Sequence, residues 1–360
     1  MSTPATRAGP RLHDALDFWA REQPNAPFAE QAGCRLTYAE AAAATGRLAN
    51  ALIAAGLHVG DRVAVLARNC VEYVLLYFAA SKAGAVAIPL NIRLAPPEWA
   101  YILEDACPRV IFASLPYLAP LDGLRERLAF IEHWVAIGEG RHAGWEPLAA
   151  WTSADGPTHA MPAVGSAADV LQLYTSATTG HPKGAVLTHA AVTANIAQVG
   201  AAIQLQPGER SLVVAPLFHA AAVPSTFTPV AQGGCLVIQE EFKPAEVVRA
   251  LSEERIAFAV LVPAMIQACL TAVPDAGARR YDALRLIYYG ASPIAEVTLR
   301  GALEVFRCGF IQSYGLTEAT QALTFLTPAD HERALTERPE LLLSAGRAAP
   351  ATELRIVDAA

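Results

Sequence analysis

The feature that most constrains the fold is a repeated alternation of short apolar segments with longer amphipathic ones. Residues 63–66 form a short β-branched run, 71–82 have helical periodicity, and 85–88 form a second apolar run. The same alternation returns after Val170 and continues to Gln312. Repeated βα units predict mostly parallel, buried sheets with helices on both faces. We therefore predict an α/β fold built from two stacked βα subdomains.

Further segments fit this alternation. Strands are predicted at 110–113, 170–174, 212–215, 236–238, 258–262, 286–289 and 310–312. Helices are predicted at 97–105 and 190–202, and from Pro244, Pro263, Pro293 and about Leu316. Turn residues punctuate these segments. We place the first subdomain and a linker region at 1–165 and the second subdomain at 166–340. A small β-barrel-like element is expected to begin within 341–360, where residues 353–358 alternate like a strand.

The composition argues against several classes of partner. The chain has a net charge of -7 and scattered basic residues, whereas a nucleic-acid-binding face needs clustered Lys and Arg. No apolar run reaches the roughly 18 residues of a membrane span, and the N-terminus lacks the apolar segment of a signal peptide. The six cysteines show no C-x-x-C pair, which is typical of free thiols in a reducing cytoplasm. We expect a cytoplasmic protein without nucleic-acid or membrane partners.

A hydroxyl-rich loop, YTSATTGHPKG, occupies residues 174–184 between a predicted strand and a helix predicted to start near Thr188. Small residues let backbone N–H groups approach phosphate oxygens, and Lys183 adds an ammonium in a chain with only three lysines. A plain polar surface loop is the alternative. Because Gly184 follows Lys183, the loop does not match G-x-x-x-x-G-K-[ST], and no G-x-G-x-x-G follows a strand. P-loop NTPases and dinucleotide-binding Rossmann folds are therefore disfavoured.

Four motifs, in order, resemble those of the adenylate-forming (ANL) superfamily of acyl- and aryl-CoA ligases, luciferases and peptide-synthetase adenylation domains. They are YTSATTGHPKG (174–184), YGASP (289–293), QSYGLTEAT (312–320) and SAGRAAPATELRIVD (344–358). Together they are far more specific than any one alone, and the similarity extends over nearly the whole chain. The resemblance implies the N-terminal domain of an AMP-forming acyl-CoA synthetase, with ATP/AMP, Mg²⁺ and CoA as cofactors.

The resemblance also implies roles for residues of these motifs. Tyr314 would stack on adenine, Thr317 would bond the α-phosphate, and Glu318 would hold Mg²⁺. The implied nucleotide-binding residues are Thr175, Ser176, Thr178, Thr179, Gly180, Lys183, Gly290, Ala291, Ser292, Pro293, Gln312, Ser313, Tyr314, Gly315, Leu316 and Thr317. The implied catalytic residues are Thr178, Lys183, His219 and Glu318.

The segment 216–227 should, by the same resemblance, line the pocket for a carboxylic acid. Residues 216–228 contain no carboxylate, which amino-acid-activating members use to pair with the substrate ammonium. Alanine and valine at 220–223 predict a roomy apolar pocket that suits a fatty, aromatic or polycyclic acid. The predicted pocket residues are His219, Ala220, Val223, Phe227, Tyr289, Gly290 and Gly315.

Two departures from the family pattern keep alternatives open. Ala177 stands where the family has glycine, and its methyl group would crowd the pyrophosphate. The small C-terminal domain, with the family's adenylation lysine, is expected to be absent from this chain. The leading function is an acyl-CoA synthetase that transfers the acid to CoA or a carrier-protein thiol. The alternatives are a ligase that accepts only a pre-made acyl-adenylate and a non-catalytic acyl- or adenylate-binding domain. A homodimer is compatible with the sequence.

Overall fold

The structure, a computed structural model, describes residues 9–153, 159–175 and 180–357. Its strands are β1 Pro27–Gln31, β2 Cys34–Thr37, β3 Arg62–Leu66, β4 Val86–Pro89, β5 Val110–Ser114, β6 His133–Ile137, β7 Glu146–Pro147, β8 Asp169–Thr175, β9 Lys183–Thr188, β10 Arg210–Val213, β11 Cys235–Ile238, β12 Ile256–Val260, β13 Leu286–Gly290, β14 Gly309–Tyr314, β15 Thr324–Leu326 and β16 Arg347–Ala348. Its α-helices are α1 Leu12–Glu22, α2 Tyr38–Ala54, α3 Val71–Ala83, α4 Pro96–Ala106, α5 Leu118–Asp122, α6 Leu148–Trp151, α7 His189–Ile203, α8 Thr228–Ala231, α9 Pro244–Glu253, α10 Pro263–Ala272, α11 Glu296–Phe306 and α12 Pro328–Thr336.

The strands form two sheets. The larger sheet has nine strands in the order β16-β15-β14-β13-β12-β10-β11-β1-β2, and the smaller has seven in the order β7-β6-β5-β3-β4-β8-β9. Pairing is parallel except at the edges, where β2, β9, β15 and β16 run antiparallel to their neighbours. The predicted α/β fold with two mostly parallel sheets is confirmed.

The two sheets exchange strands along the chain. Strands β1 and β2 come from the N-terminal part of the chain but join the larger sheet, whereas β8 and β9 join the smaller one. The largest hydrophobic core therefore contains residues of both sheets, including Phe28 of β1 and Val65 of β3. The boundary predicted at 165/166 does not separate the strands of one sheet from those of the other. The division into subdomains at this position stays a prediction.

Helix α3 shows how the sequence sets local structure in this core. Nearly all of its residues are buried, so the helix predicted at 71–82 is confirmed but its predicted amphipathic character is wrong, since it has no polar face. Gly84 ends it with a φ of 74°, a left-handed conformation that glycine adopts without steric cost. Among the described residues, no helix combines the length and the apolar character needed to cross a bilayer.

Three element predictions were wrong. The loop 174–184 leads into strand β9 and not directly into a helix near Thr188, so it closes a β-hairpin. The helix predicted from about Leu316 is a single 3₁₀ turn, Thr317–Ala319, because the chain must turn back within a few residues to pair β15 with β14. Helix α11 begins at Glu296 and not at Pro293. In addition, residues 353–357 form no strand in the structure.

Candidate functional site

A cavity of about 380 Å³ opens where the parallel strands of the larger sheet end. Val260 and Gly290, the last residues of β12 and β13, line it together with Ala215 and Gly315, which follow β10 and β14. Open α/β sheets bind ligands at this edge, because the loops after the carboxyl ends of the strands converge there. The predicted pocket residues His219 and Ala220 also line this cavity.

Two glycines shape the edge of the cavity. A Cβ atom on Gly290 would lie 2.3 Å from the carbonyl oxygen of Ser313, and one on Gly315 would lie 1.5 Å from that of Gln321. Both distances are far inside van der Waals contact, so only glycine allows these backbone segments to approach. Ala291, directly after β13, has a φ of 67°, a value uncommon for a residue with a side chain. The backbones of Gly290 and Gly315 thus form a narrow edge of the cavity without side chains, which we call the cradle.

The two tyrosines of β13 point to opposite faces of the sheet. Tyr288 lines the cavity, whereas Tyr289 is fully buried on the other face, where its hydroxyl lies 2.8 Å from His331 Nε2. Successive side chains of a strand alternate between faces, so only one of the pair can reach the cavity. The prediction of Tyr289 as a pocket residue is therefore corrected to Tyr288. Gln312 likewise faces Tyr289, whose hydroxyl donates to it at 3.4 Å, and it does not line the cavity.

The chain after β10 supplies one wall of the cavity and part of the core. Residues 223–227 form a π-helical turn that continues into α8. This coiling directs Val223 and Phe227 inward, where each is 1% exposed and belongs to the largest core. Phe227 packs against the rings of Tyr77 and Phe78 at centroid distances of 5.1 and 6.0 Å. Val223 and Phe227, predicted in the pocket wall, are thus core residues that do not line the cavity.

His219 lies between two cavities. It lines the 380 Å³ cavity and also a smaller one of about 260 Å³, which Thr175 and Gly180 of the β8–β9 hairpin line. The pKa of His219 lies below the usual histidine value, because the surrounding chain removes water from the ring and the positive charge of Arg93 disfavours the protonated form. A neutral imidazole therefore lies between the 380 Å³ cavity and the hairpin.

The β8–β9 hairpin carries the predicted phosphate-binding residues. Thr175 and Lys183 are opposite each other in the antiparallel pair, and Gly180 has a φ of 137° that favours glycine. Lys183 is exposed and forms no ion pair with any described residue. Ser176, Ala177, Thr178 and Thr179 lie outside the described residues. Strand β9 contacts the Thr317–Ala319 turn, which brings the hairpin next to the residues after β14.

A hydrogen-bonded chain fixes the base of this hairpin. Arg62 donates to Gln172 at 2.8 Å, Gln172 donates to the Tyr174 hydroxyl at 2.9 Å, and that hydroxyl donates to Asp105 at 2.5 Å. Gly184 is pressed against the same group, since a Cβ there would lie 2.5 Å from Gln172 Nε2. The base of the hairpin is therefore anchored to β3 and α4.

The residues around the 3₁₀ turn face solvent. Tyr314 is 52% exposed, so its ring is available for stacking. Leu316 and Thr317 line the cavity. Glu318 is exposed and unpaired among the described residues. Ser313 lines the cavity, whereas Ser292 and Pro293 are exposed in the loop after β13 and do not.

Sequence reasoning did not identify several residues that line the cavity. These include Arg93, which follows β4, as well as Tyr288, Met265 and Gln321. The alternation of β13 could have revealed Tyr288 once one inward residue of that strand was fixed. Arg93 and Met265 reach the cavity from elements distant in sequence, for which the sequence holds no local signal.

The sequence of the chain is similar to those of known proteins. The chain matches the AMP-binding enzyme family over residues 16–360. It is 34% identical to the fatty acid–acyl-carrier-protein ligase ScoC of Streptomyces coeruleorubidus over 96% of this chain and 65% of that protein. It is 36% identical to a feruloyl-CoA synthase of an Amycolatopsis species over 86% of this chain and 60% of that protein.

A solved structure agrees with these matches. The inhibitor-bound N-terminal domain of FACL13 from Mycobacterium tuberculosis superposes with a TM-score of 0.84 at 30% identity, covering 94% of this chain and 82% of that one. The chain spans 60 to 65% of the length of the two curated relatives. Because the family match extends over nearly all of its residues, the chain belongs to the AMP-binding enzyme family.

Proposed function

We propose that this chain is the adenylate-binding part of an AMP-forming acid–CoA ligase. The observation that carries the proposal is the cradle of Gly290 and Gly315, which lines a largely apolar cavity and directly follows the exposed Tyr314 at Gly315. A purine needs a flat surface and close backbone, and an acyl group needs an apolar pocket, so the two features together fit an acyl-adenylate. Relatives named as a fatty acid–carrier-protein ligase and a feruloyl-CoA synthase support the same reaction class.

The proposed reaction has two steps. A carboxylate oxygen of the acid attacks the α-phosphorus of ATP, and the bond to pyrophosphate breaks to give an acyl-adenylate. The thiol of CoA then loses its proton and attacks the acyl carbon, which releases AMP. Neutral His219 would donate a hydrogen bond to the reacting carboxylate from its place between the two cavities. Lys183 would offset negative charge on the phosphates, and Thr317 would bond the α-phosphate.

Mg²⁺ fits this proposal only with a nucleotide present. Among the described residues no group of three His, Cys, Asp or Glu side chains could hold a metal ion. We assign the ion to the carboxylate of Glu318, the residue that the family resemblance implies. In nucleotide sites one or two carboxylates suffice, because phosphate oxygens and water complete the shell. When bound, the ion would neutralise charge on the phosphates.

Titration calorimetry of this chain tests the binding part of the proposal. We expect AMP and a non-hydrolysable acyl-adenylate analogue to bind, and Tyr314→Ala to weaken AMP by about 10-fold, since stacking on a base contributes roughly 1–3 kcal/mol. Phe130→Ala, which removes another exposed ring outside the cavity, should leave binding unchanged. Failure of both ligands to bind would refute the proposal.

The catalytic part is tested on a protein that spans the full length of the curated relatives, of which this chain covers 60 to 65%. With an acid, ATP and Mg²⁺, we expect release of pyrophosphate and then, on addition of CoA, AMP and an acyl-CoA. If a thioester formed on a phosphopantetheinylated carrier protein but not on CoA, the thiol acceptor would be the carrier protein. Thioester formation from a supplied acyl-adenylate without ATP–pyrophosphate exchange would favour the alternative raised by Ala177, which lies outside the described residues.

A further inference from the structure

A polar group is built into the otherwise largely apolar wall of the 380 Å³ cavity. It consists of Tyr288, Ser313 and Gln321, which we call the cavity triad. The Tyr288 hydroxyl donates to Gln321 Oε1 at 2.8 Å, and Gln321 Nε2 donates to the Ser313 hydroxyl at 3.3 Å. Tyr288 and Ser313 are only 1% and 2% exposed, so both are held in place by packing. The triad is therefore a fixed feature of the wall.

The side-chain amide of Gln321 keeps one N–H donor that no described residue accepts. A side-chain amide has two N–H donors, and only the bond to Ser313 engages one of them among the described residues. The Tyr288 hydroxyl orients the amide by donating to its oxygen, and burial raises the pKa of Tyr288 above the usual tyrosine value, so that hydroxyl keeps its proton. Gln321 is thus held between the Tyr288 and Ser313 hydroxyls, and its amide keeps a second N–H that no described residue accepts.

The surroundings of Gln321 make this free donor consequential. The backbone of Gln321 touches Gly315, and most of the cavity wall is apolar, with side chains such as Ala215, Val260 and Met265. The other polar side chains of the wall are those of Arg93, His219 and Thr317. A purely hydrocarbon acyl group would displace water from the amide without replacing its hydrogen bond. Leaving a buried donor unpaired is costly, whereas a substrate oxygen at this place would satisfy it.

We infer that the cavity selects acids that carry an oxygen acceptor on the acyl group, such as a ring hydroxyl, alkoxy or keto oxygen, over plain hydrocarbon acids of the same shape. This inference rests on the proposed function, because it assigns the cavity to the acyl group. Gln321 would donate to the acceptor, and Tyr288 and Ser313 act as positioning residues through Gln321. The substrate class is thereby narrowed from apolar acids in general to acids with an apolar body and one oxygen.

Paired ligands test the inference on this chain without turnover. The probes are 5′-O-(N-acylsulfamoyl)adenosines, which mimic the acyl-adenylate, carrying 3-phenylpropenoyl groups with no ring substituent or with a hydroxyl at the 2-, 3- or 4-position. We expect at least one hydroxylated probe to bind about 10-fold or more tightly than the unsubstituted one by calorimetry. Gln321→Met, which keeps the length of the side chain but removes the donor, should bring that ratio close to one.

Two further variants separate the roles within the triad. Tyr288→Phe removes the bond that orients the amide, so the ratio of the two affinities should fall but stay above one. Ala220→Val narrows the same cavity without touching the triad, and should weaken both probes alike.

The outcomes are distinguishable. Equal affinity for the hydroxylated and unsubstituted probes in the unmodified chain, or a preference that survives Gln321→Met, would overturn this inference and leave the proposed function intact. Failure of every probe and of AMP to bind would overturn the proposed function, and this inference with it. Because the first comparison uses only the unmodified chain, it stands even if a variant does not fold.

Discussion

Gly315 lies directly against the backbone of Gln321, which makes it the most constrained residue of the site. A Cβ atom there would be 1.5 Å from the carbonyl oxygen of Gln321 and 2.6 Å from its carbonyl carbon. We expect Gly315→Ala to lower the free energy of unfolding by about 1–3 kcal/mol through overpacking and to weaken AMP binding. Urea denaturation and calorimetry measure the two effects.

Gly46 provides the matched control for this substitution. It lies inside helix α2, and a Cβ there would meet no atom within 4 Å. Gly46→Ala should therefore stabilise the chain by up to about 1 kcal/mol, because alanine is the better helix former. If Gly315→Ala behaved like Gly46→Ala, the close approach of residues 315 and 321 would be wrong.

Lys183 is the lysine that we propose to contact the phosphates, and this role can be separated from adenosine binding. If it grips the β- and γ-phosphates, Lys183→Ala should weaken ATP about 10-fold and AMP less than about 2-fold, since a hydrogen bond to a charged group contributes roughly 1.5–3 kcal/mol. Lys243, which is exposed and lies 3.2 Å from Glu246, is the control, and Lys243→Ala should change neither affinity. An equal loss for ATP and AMP would contradict the phosphate role.

At the residue scale, the sequence predicted which segments form the site better than which side chains face it. The YGASP and QSYGLTEAT motifs located Gly290, Ser313, Gly315 and Thr317 at the cavity. The resemblance implies Tyr289 as a pocket residue, and the periodicity of a fully buried strand cannot correct this to Tyr288, because it does not reveal which face meets the site. That parity is set by tertiary packing on the two faces of β13.

At the scale of elements, the docking of helix α1 depends on two neutral histidines. His13 contacts the Ser81 hydroxyl at 2.8 Å, and His189 Nδ1 accepts from the backbone N–H of Leu12 at 3.1 Å. Burial lowers the pKa of both rings to about 4. The nearby Asp14 carboxylate opposes the shift, but desolvation is the larger effect at each ring.

These lowered values predict acid sensitivity. Above about pH 7.5 both rings are neutral in folded and unfolded chains, so their contribution is constant. As the pH falls from 6.5 towards 4, only the unfolded chain takes up these protons, and stability drops by up to about 1.4 kcal/mol per pH unit for each ring. Denaturant unfolding measured from pH 7.5 to 4.5 should show this decline.

Substitution of one ring checks the cause of that decline. His189→Asn removes one titrating group and should make the pH dependence shallower, whatever its effect on stability at pH 7.5. His58, whose side chain is 85% exposed, is the control, and His58→Asn should leave the dependence unchanged. An unchanged slope in His189→Asn would exclude this ring as its source.

Strand β9 marks the limit of element prediction from sequence. The sequence predicts no strand for its residues, KGAVLT, because the hydroxyl-rich segment before them indicates a loop and the residues after them indicate a helix. An antiparallel partner, β8, is what makes the segment a strand. The consequence for function is that the phosphates would meet a β-hairpin and not the positive end of a helix, so Lys183 and the hairpin backbone would carry their recognition.

At the scale of the whole molecule, the exchange of strands between the sheets could not be read from local patterns. Strand β1 pairs with β11 across about 200 residues of chain, and β4 pairs with β8. Local periodicity predicts that strands exist, but their order follows from which faces can be buried together. The exchange predicts that the two sheets unfold as one unit, since neither keeps its full set of strands alone.

Phe227 tests that unity, because it packs against Tyr77 and Phe78 in the core that contains residues of both sheets. Phe227→Ala should lower the free energy of unfolding by about 3–5 kcal/mol, leave a single calorimetric transition, and keep the ratio of affinities for two acyl-adenylate analogues. Ala220→Val, in the cavity wall, should instead change the affinity for the acyl group with a smaller effect on stability. Two separate transitions would show independent sheets. If Phe227→Ala instead changed the preference between the two acyl groups, Phe227 would line the acyl pocket, as predicted from the sequence.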